Sequence, residues 1–160
     1  MNILISKRVI FLRYIVNIAV ALAVGGLSSI LTGGSMKSFT SDFVQAPLTP
    51  PSVVFPIVWS VLYILMAIGY TRISKKGCEK GAVYYWLQLA FNFFWSIWFF
   101  NANAFLFSFV WLLALLVLVI LMTVNFLKCD KPAGLMQLPY IAWLLFAGYL
   151  NITVYILNRI

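Results

Sequence analysis

The sequence contains no histidine and only three acidic residues, Asp42, Glu79 and Asp130. Without histidine the chain lacks the commonest metal ligand and the commonest general base near neutral pH. All three acids fall between apolar runs, so no span offers an intramembrane carboxylate of the kind a proton-coupled carrier uses. Arg13 is the one cation inside a run, and it lies near an end from which it can snorkel. A nucleophile paired with a base, as a hydrolase needs, is also missing. Two cysteines, Cys78 and Cys129, are too few and too far apart for a metal-site spacing. Charged residues make up only 9% of the chain, against about 25% in a soluble domain.

What is present is apolar and aromatic. Of 160 residues, 64% are hydrophobic and 18% aromatic, with a mean hydropathy of +1.04. This composition predicts an all-α integral membrane protein of one domain. Five apolar segments, each near the roughly 20 residues a bilayer demands, lie at about 9–31, 52–71, 82–100, 105–127 and 134–158. They predict a bundle of five transmembrane helices. The net charge of +8 points to membrane topology rather than nucleic acid, because the basic residues sit between the runs. The N-terminus and connections two and four carry nine Lys or Arg; the other side carries Lys37 and Arg159. The positive-inside rule then places the N-terminus in the cytoplasm and the first loop and C-terminus outside. Cys78 and Cys129 both fall on the inner side, where a disulfide is not expected.

The first segment has features of a signal peptide, with Lys7, Arg8 and Arg13 ahead of an apolar run and Ala21-Leu22-Ala23 resembling a cleavage site. Its uncharged run, 14–31, is longer than the roughly 7–15 residues of a signal core, which favours a retained helix. Ala21, Gly25 and Ser29 make a small-residue stripe suited to close helix contact, within or between molecules. The stretch 32–51 reads as a long Ser/Gly/Thr/Pro-rich first loop, either a lid or a plain connector. Residues 101–104 read as a tight uncharged turn.

Three stretches carry the candidate chemistry. In APLTPPSVVFPIVWSVLYILM, Thr49 is a plausible N-cap and Pro50 or Pro51 suits the first turn. Pro56 is expected to kink the helix or open its first turn. Phe55, Trp59 and Tyr63 recur every four residues and share a face. In YYWLQLAFNFFWSIWFF, Gln88, Asn92, Trp95, Ser96 and Phe99 share a face; Asn92 is either a bond between helices or a ligand contact. In LPYIAWLLFAGYLNITVYILN, Pro139 predicts another early kink, and Tyr140, Trp143, Ala147 and Asn151 align, bordered by Phe146 and Leu150. Together these faces have the composition of a pocket for a large, flat, apolar ligand. Trp111 lies outside them. The end Leu150-x4-Tyr155-x3-Arg159 also fits the loose pattern proposed for cholesterol contact.

In this order across five spans, PPSVVFPIVWSVLYILM, NFFWSIWFF and LPYIAWLLFAGYLNITVYILN resemble the translocator protein family, also called TspO/MBR, the tryptophan-rich sensory proteins or the peripheral benzodiazepine receptor. The resemblance covers roughly residues 8–159. It implies a five-helix homodimer with a pocket opening toward the first loop, which takes porphyrins, drug-like aromatics and, in animals, cholesterol. Carried over by motif, the ligand-binding residues are Trp59, Tyr63, Asn92, Ser96, Trp143, Phe146, Ala147 and Leu150, with no catalytic residue, metal or cofactor assigned. Two positions depart from the pattern: Val53 stands where the family often has Trp, and Phe39-Thr40 stand where it often has Trp-Tyr. The first reading is a tetrapyrrole-binding sensor or transporter, in a bacterial cell membrane. The alternatives are light-dependent porphyrin breakdown, with Trp59 and Trp143 as redox partners, and a small carrier for another apolar solute.

Overall fold

The computed structural model describes residues 2–158, with side chains from residue 8 onward. Lys7 and Arg159, which entered the charge count and the sterol pattern, therefore lie outside the described side chains. All regular structure among the described residues is helical: α1 (Asn2–Asp42), α2 (Val54–Ser74), α3 (Glu79–Ser96) continued by a π-helical turn (Ile97–Asn101), α4 (Phe105–Cys129), a short α5 (Lys131–Leu135) and α6 (Leu138–Asn158). Four stretches are long and apolar enough to cross a membrane by length and composition: α1, α2, α4 and the α5–α6 unit. α3 is not among them; it carries Glu79 and Lys80 in its first turn and Gln88, Asn92 and Ser96 along its length.

The helices form a ring. α1 packs between α2 and α3, and α4 packs between α3 and α6. The backbones of α2 and α6 stay apart, and aromatic side chains span the distance between them. The interior is filled by Leu62, Met66, Tyr85, Leu115, Val119, Met122, Phe126 and Leu144, all essentially inaccessible. α1, α2, α4 and α6 also show large apolar side chains on their outer faces, with Phe11, Ile30, Ile57, Val117 and Leu145 all more than half exposed, as a lipid-facing surface requires.

Four local expectations are corrected. The first loop is much shorter than 32–51, because α1 continues as helix to Asp42. Its final turns are anchored by Phe39, which is buried against Phe99, Phe100 and Phe105 at centroid distances of 5.1–5.9 Å. Thr49 does not cap α2: its amide closes a separate turn onto Ala46 O at 3.0 Å, and the cap position is Val53, with no side-chain bond. Pro56 is the third residue of α2 and Pro139 the second of α6, so both occupy first turns where no amide partner is lost. The fifth segment is instead divided at Met136-Gln137 into α5 and α6. The tight turn at residues 102–104 is present, with Asn103 at φ 49°, a left-handed geometry that Asn tolerates better than most residues.

The small-residue stripe on α1 serves packing within the chain. Ala21 is fully buried, and Gly25 lies so close to the Tyr63 ring that an added Cβ would collide with it. Ser29, the third member, is exposed.

Candidate functional site

Between α2 and α6 the aromatic face of each helix meets the other. Trp59 sits edge-on to Trp143 (6.5 Å, 88°) and to Tyr140 (6.1 Å, 70°). Trp59 also contacts Tyr63 at 5.8 Å. Phe55 meets Trp143 at 5.9 Å, and Trp143 meets Phe146 at 5.6 Å. Edge-to-face pairs of this kind each contribute about 0.5–1.5 kcal/mol beyond area burial. The i, i+4 spacing puts Phe55, Trp59 and Tyr63 on one helix face; Phe55 and Trp59 meet α6, and Tyr63 lies against Gly25 of α1 and Asn92 of α3. Ala147 and Leu150 continue the buried side of α6 beyond Trp143, at 7% and 9% exposure.

Behind the rings lies a polar layer. Tyr63 OH accepts a bond from Asn92 Nδ2 at 3.1 Å. Tyr140 OH donates to Gln88 Oε1 at 2.9 Å, and Gln88 Nε2 reaches Met66 Sδ at 3.4 Å. Ser96 Oγ pairs with Ser28 Oγ of α1 and donates to Phe93 O at 3.0 Å. Asn151, with its amide oriented to satisfy both ends, donates to Phe105 O and accepts from Ser108 Oγ and Trp95 Nε1 at 2.8–3.3 Å. Asn92 therefore bonds across helices, holding the hydroxyl of the buried Tyr63. That bond supplies the partner without which a buried amide would cost roughly a few kcal/mol.

One polar atom in the cluster stands apart. Trp143 Nε1 is buried and has no hydrogen-bond partner among the described residues. It is the buried unpartnered donor of the aromatic cluster among the described residues.

The structure thus joins Trp59, Tyr63, Trp143 and Phe146 into one connected surface and attaches Asn92 to it through Tyr63. Ser96 is drawn to α1 instead. Tyr140 and Gln88 were visible as face residues but not as a bonded pair, because sequence spacing does not show which helices are neighbours. Trp111 is a packing residue: it stacks on Phe91 at 4.4 Å and donates to Phe91 O at 2.8 Å.

The basic end of the bundle holds a second arrangement that periodicity did not signal. Arg72 grips Asp130 through Nε–Oδ1 at 2.9 Å and Nη2–Oδ2 at 3.1 Å, and Lys76 Nζ adds a contact to Oδ2 at 2.7 Å. Asp130 also caps α5 by accepting from Ala133 N at 3.0 Å. The Arg72 bond first, then Lys76 and the Ala133 amide, hold the Asp130 carboxyl well below the usual carboxylate range against the opposing effect of burial. Beside this triad Cys78 and Cys129 are joined as a disulfide, with Cα atoms 6.5 Å apart. This overturns the expectation of two separate thiols: α3 and α4 are neighbours, and their ends bring two cysteines 51 residues apart into bonding range.

Comparison with known proteins agrees with this architecture. Residues 17–157 match the model of the TspO/MBR family. The chain is 33% identical over 146 residues to the tryptophan-rich protein TspO of Chlorobaculum tepidum, covering 88% of this chain and 92% of that one. It is 33% identical over 150 residues to the protein of the same name in Archaeoglobus fulgidus, covering 92% and 97%. The translocator protein of Bos taurus is 30% identical over 142 residues, covering 85% and 84%.

Proposed function

The chain belongs to the TspO/MBR family of multi-pass membrane proteins, and from that membership and the aromatic cluster we propose that it binds tetrapyrroles and related flat apolar aromatics, as sensor or transporter. The observation that carries the reading is the connected surface of Trp59, Tyr63, Trp143 and Phe146, with a buried unpartnered donor at Trp143 Nε1. Flat rings stack on such a surface, and a carboxylate or carbonyl on the ligand supplies the acceptor that Trp143 lacks. Ala147 and Leu150 extend the apolar wall. The interior offers no histidine, the usual proximal haem ligand. Binding therefore rests on stacking and burial, and metal-free porphyrin binds at least as well as haem. The names of relatives point the same way: they include translocator proteins and a tryptophan-rich sensory protein.

Porphyrin titration of the purified protein, read by absorbance rather than tryptophan quenching, tests this. Saturable binding of metal-free porphyrin is expected. No saturable binding, or haem binding about tenfold tighter with the spectrum of a protein axial ligand, overturns it.

A second reading is favoured by one geometric fact, the edge-on contact of two indoles, Trp59 and Trp143. Paired indoles next to a bound porphyrin are electron donors to its excited state, so light-dependent porphyrin breakdown is the alternative. Turnover in light compared with darkness separates the two. In either case the protein acts as a homodimer with its N-terminus in the cytoplasm. Light scattering across micromolar concentrations tests the dimer, and a protein that stays monomeric rejects it.

A further inference from the structure

At the basic end of the bundle a covalent bond and an ion triad meet at one corner. Cys78 is the residue before α3, and Cys129 is the last residue of α4. Both are half-buried, and both line an open cavity of about 340 Å³ with Gly77, Glu79, Lys80, Gly81, Asn125 and Lys128. Two lysines face one glutamate there. A third lysine, Lys76, places its ammonium on the Cys129 carbonyl at 3.3 Å as well as on Asp130. The connection carrying Cys78 is a tight turn through Gly77 at φ +71°, closed by backbone bonds from Lys76 and Cys78 to Ile73 O and from Gly77 to Ser74 O. A bond that only staples a core is enclosed. This one borders open space, in cationic surroundings, with one partner on a short turn.

We propose that Cys78 and Cys129 form a reversible redox pair that exchanges with a small anionic thiol of the glutathione class, which reaches the sulfurs through this cavity. A thiolate of the reductant attacks one sulfur and the protein S–S bond breaks, giving a mixed disulfide and one cysteine thiolate that takes up a proton. A second reductant thiolate then attacks the mixed disulfide. The second cysteine is released and protonated, and the reductant leaves as its own disulfide. The protein gains two electrons and two protons. Reduction removes the covalent tie between the start of α3 and the end of α4 and leaves the Arg72–Asp130–Lys76 triad and the Lys76 bond to the Cys129 carbonyl at that corner. With the orientation proposed above this corner faces the cytoplasm, whose thiol pool keeps exposed dithiols reduced, so the bond closes under oxidation. The exchange itself depends neither on that orientation nor on the porphyrin reading.

The test uses the full chain in detergent micelles, equilibrated with reduced and oxidised glutathione at stepped ratios and then alkylated and weighed. Two thiols are expected to appear together in the folded protein and to vanish together on re-oxidation. The reduced form is expected to melt lower by about 5 °C or more, as loss of a loop-closing bond implies. Thiols that appear only after denaturation, or that never pair under mild oxidation, overturn the proposal. Cys78→Ser and Cys129→Ser should each melt like the reduced parent at every ratio; a melt that still follows the glutathione ratio overturns the switch, and the thiol count on the parent stands without them. The double variant Lys80→Gln, Lys128→Gln should slow reduction by glutathione by about threefold more than reduction by 2-mercaptoethanol, since both attack as thiolates but the glutathione thiolate carries the larger negative charge. Equal effects on both reagents, or none, remove the anionic-thiol cavity.

Discussion

Trp143 combines two roles that substitution can separate. Its ring joins the α2 and α6 faces, and its indole N–H is buried without a partner. Trp143→Phe retains most of the ring and removes the donor; porphyrin affinity should fall by about three- to tenfold, the equivalent of a modest hydrogen bond. Ala147→Phe adds volume to a site only 7% exposed. It should weaken binding more, and it should also lower the melting temperature, because overpacking costs about 1–3 kcal/mol. Leu145→Ala on the lipid face of the same helix is the control and should leave affinity unchanged. Trp111→Ala is a poor control because Trp111 stacks on Phe91. If Trp143→Phe and Ala147→Phe bind as tightly as the parent, the ligand site lies elsewhere. Asp130 supports a different prediction, on pH. Its pKa in the folded protein is depressed by Arg72 and Lys76. Its stabilising contribution is therefore complete above the ordinary carboxylate pKa of about 4 and declines as pH falls below that value. The melting temperature should be flat from about pH 8 to 5 and drop below pH 4. Asp130→Asn should be less stable at neutral pH and should lose much of that acid-dependent drop; an unchanged acid profile would mean that other groups control it.

At the scale of elements, the positions of five helices were legible because each needs an apolar run of bilayer length, and nothing else in the chain competes with that signal. Boundaries were harder. Gly33, Gly34 and Ser35 read as loop, yet α1 runs through them, because Phe39 gains a buried aromatic niche that outweighs the glycine penalty of about 1 kcal/mol each. Pro56 and Pro139 lie in first turns because α2 starts at Val54 and α6 at Leu138, later than the apolar runs that contain them. The aromatic faces of the candidate site followed from four-residue spacing alone. Their partners did not: the Tyr140–Gln88 bond, the Gly25–Tyr63 contact and the Cys78–Cys129 pair all depend on which helices are neighbours. The α1–α2 contact gives an element-level prediction. Gly25→Val must displace the Tyr63 ring, which carries the Asn92 bond. It should destabilise the protein by about 1–3 kcal/mol and weaken porphyrin binding with it. Gly26→Val, on a side with open space around it, should do neither. Equal melting temperatures for the two variants would dissociate this contact from the site.

At the scale of the whole molecule, helix length and charge act together. α1 has 41 residues, which at 1.5 Å per residue gives roughly 60 Å, about twice the hydrocarbon thickness of a bilayer. It must therefore project, and its two ends differ. One end runs with Arg8, Arg13 and the Lys75 ammonium stacked over Tyr14 at 4.2 Å. The other end, with Phe39, folds over the α3–α4 turn and the last turns of α6, where Asn158 bonds to Val44. The basic end also holds Arg72, Lys76, Lys80, Lys128 and Lys131, while Lys37 is the one described cation at the other. An inverted molecule would need to translocate that cluster, which short basic connections resist. A reporter fused to the C-terminus should accordingly be active only outside the cytoplasm, and one inserted at Gly77 in the α2–α3 turn should be active only inside. A C-terminal reporter active in the cytoplasm would reverse the orientation. The disulfide corner would then lie in an oxidising compartment, and its bond would stay closed in the cell even if glutathione opens it in micelles.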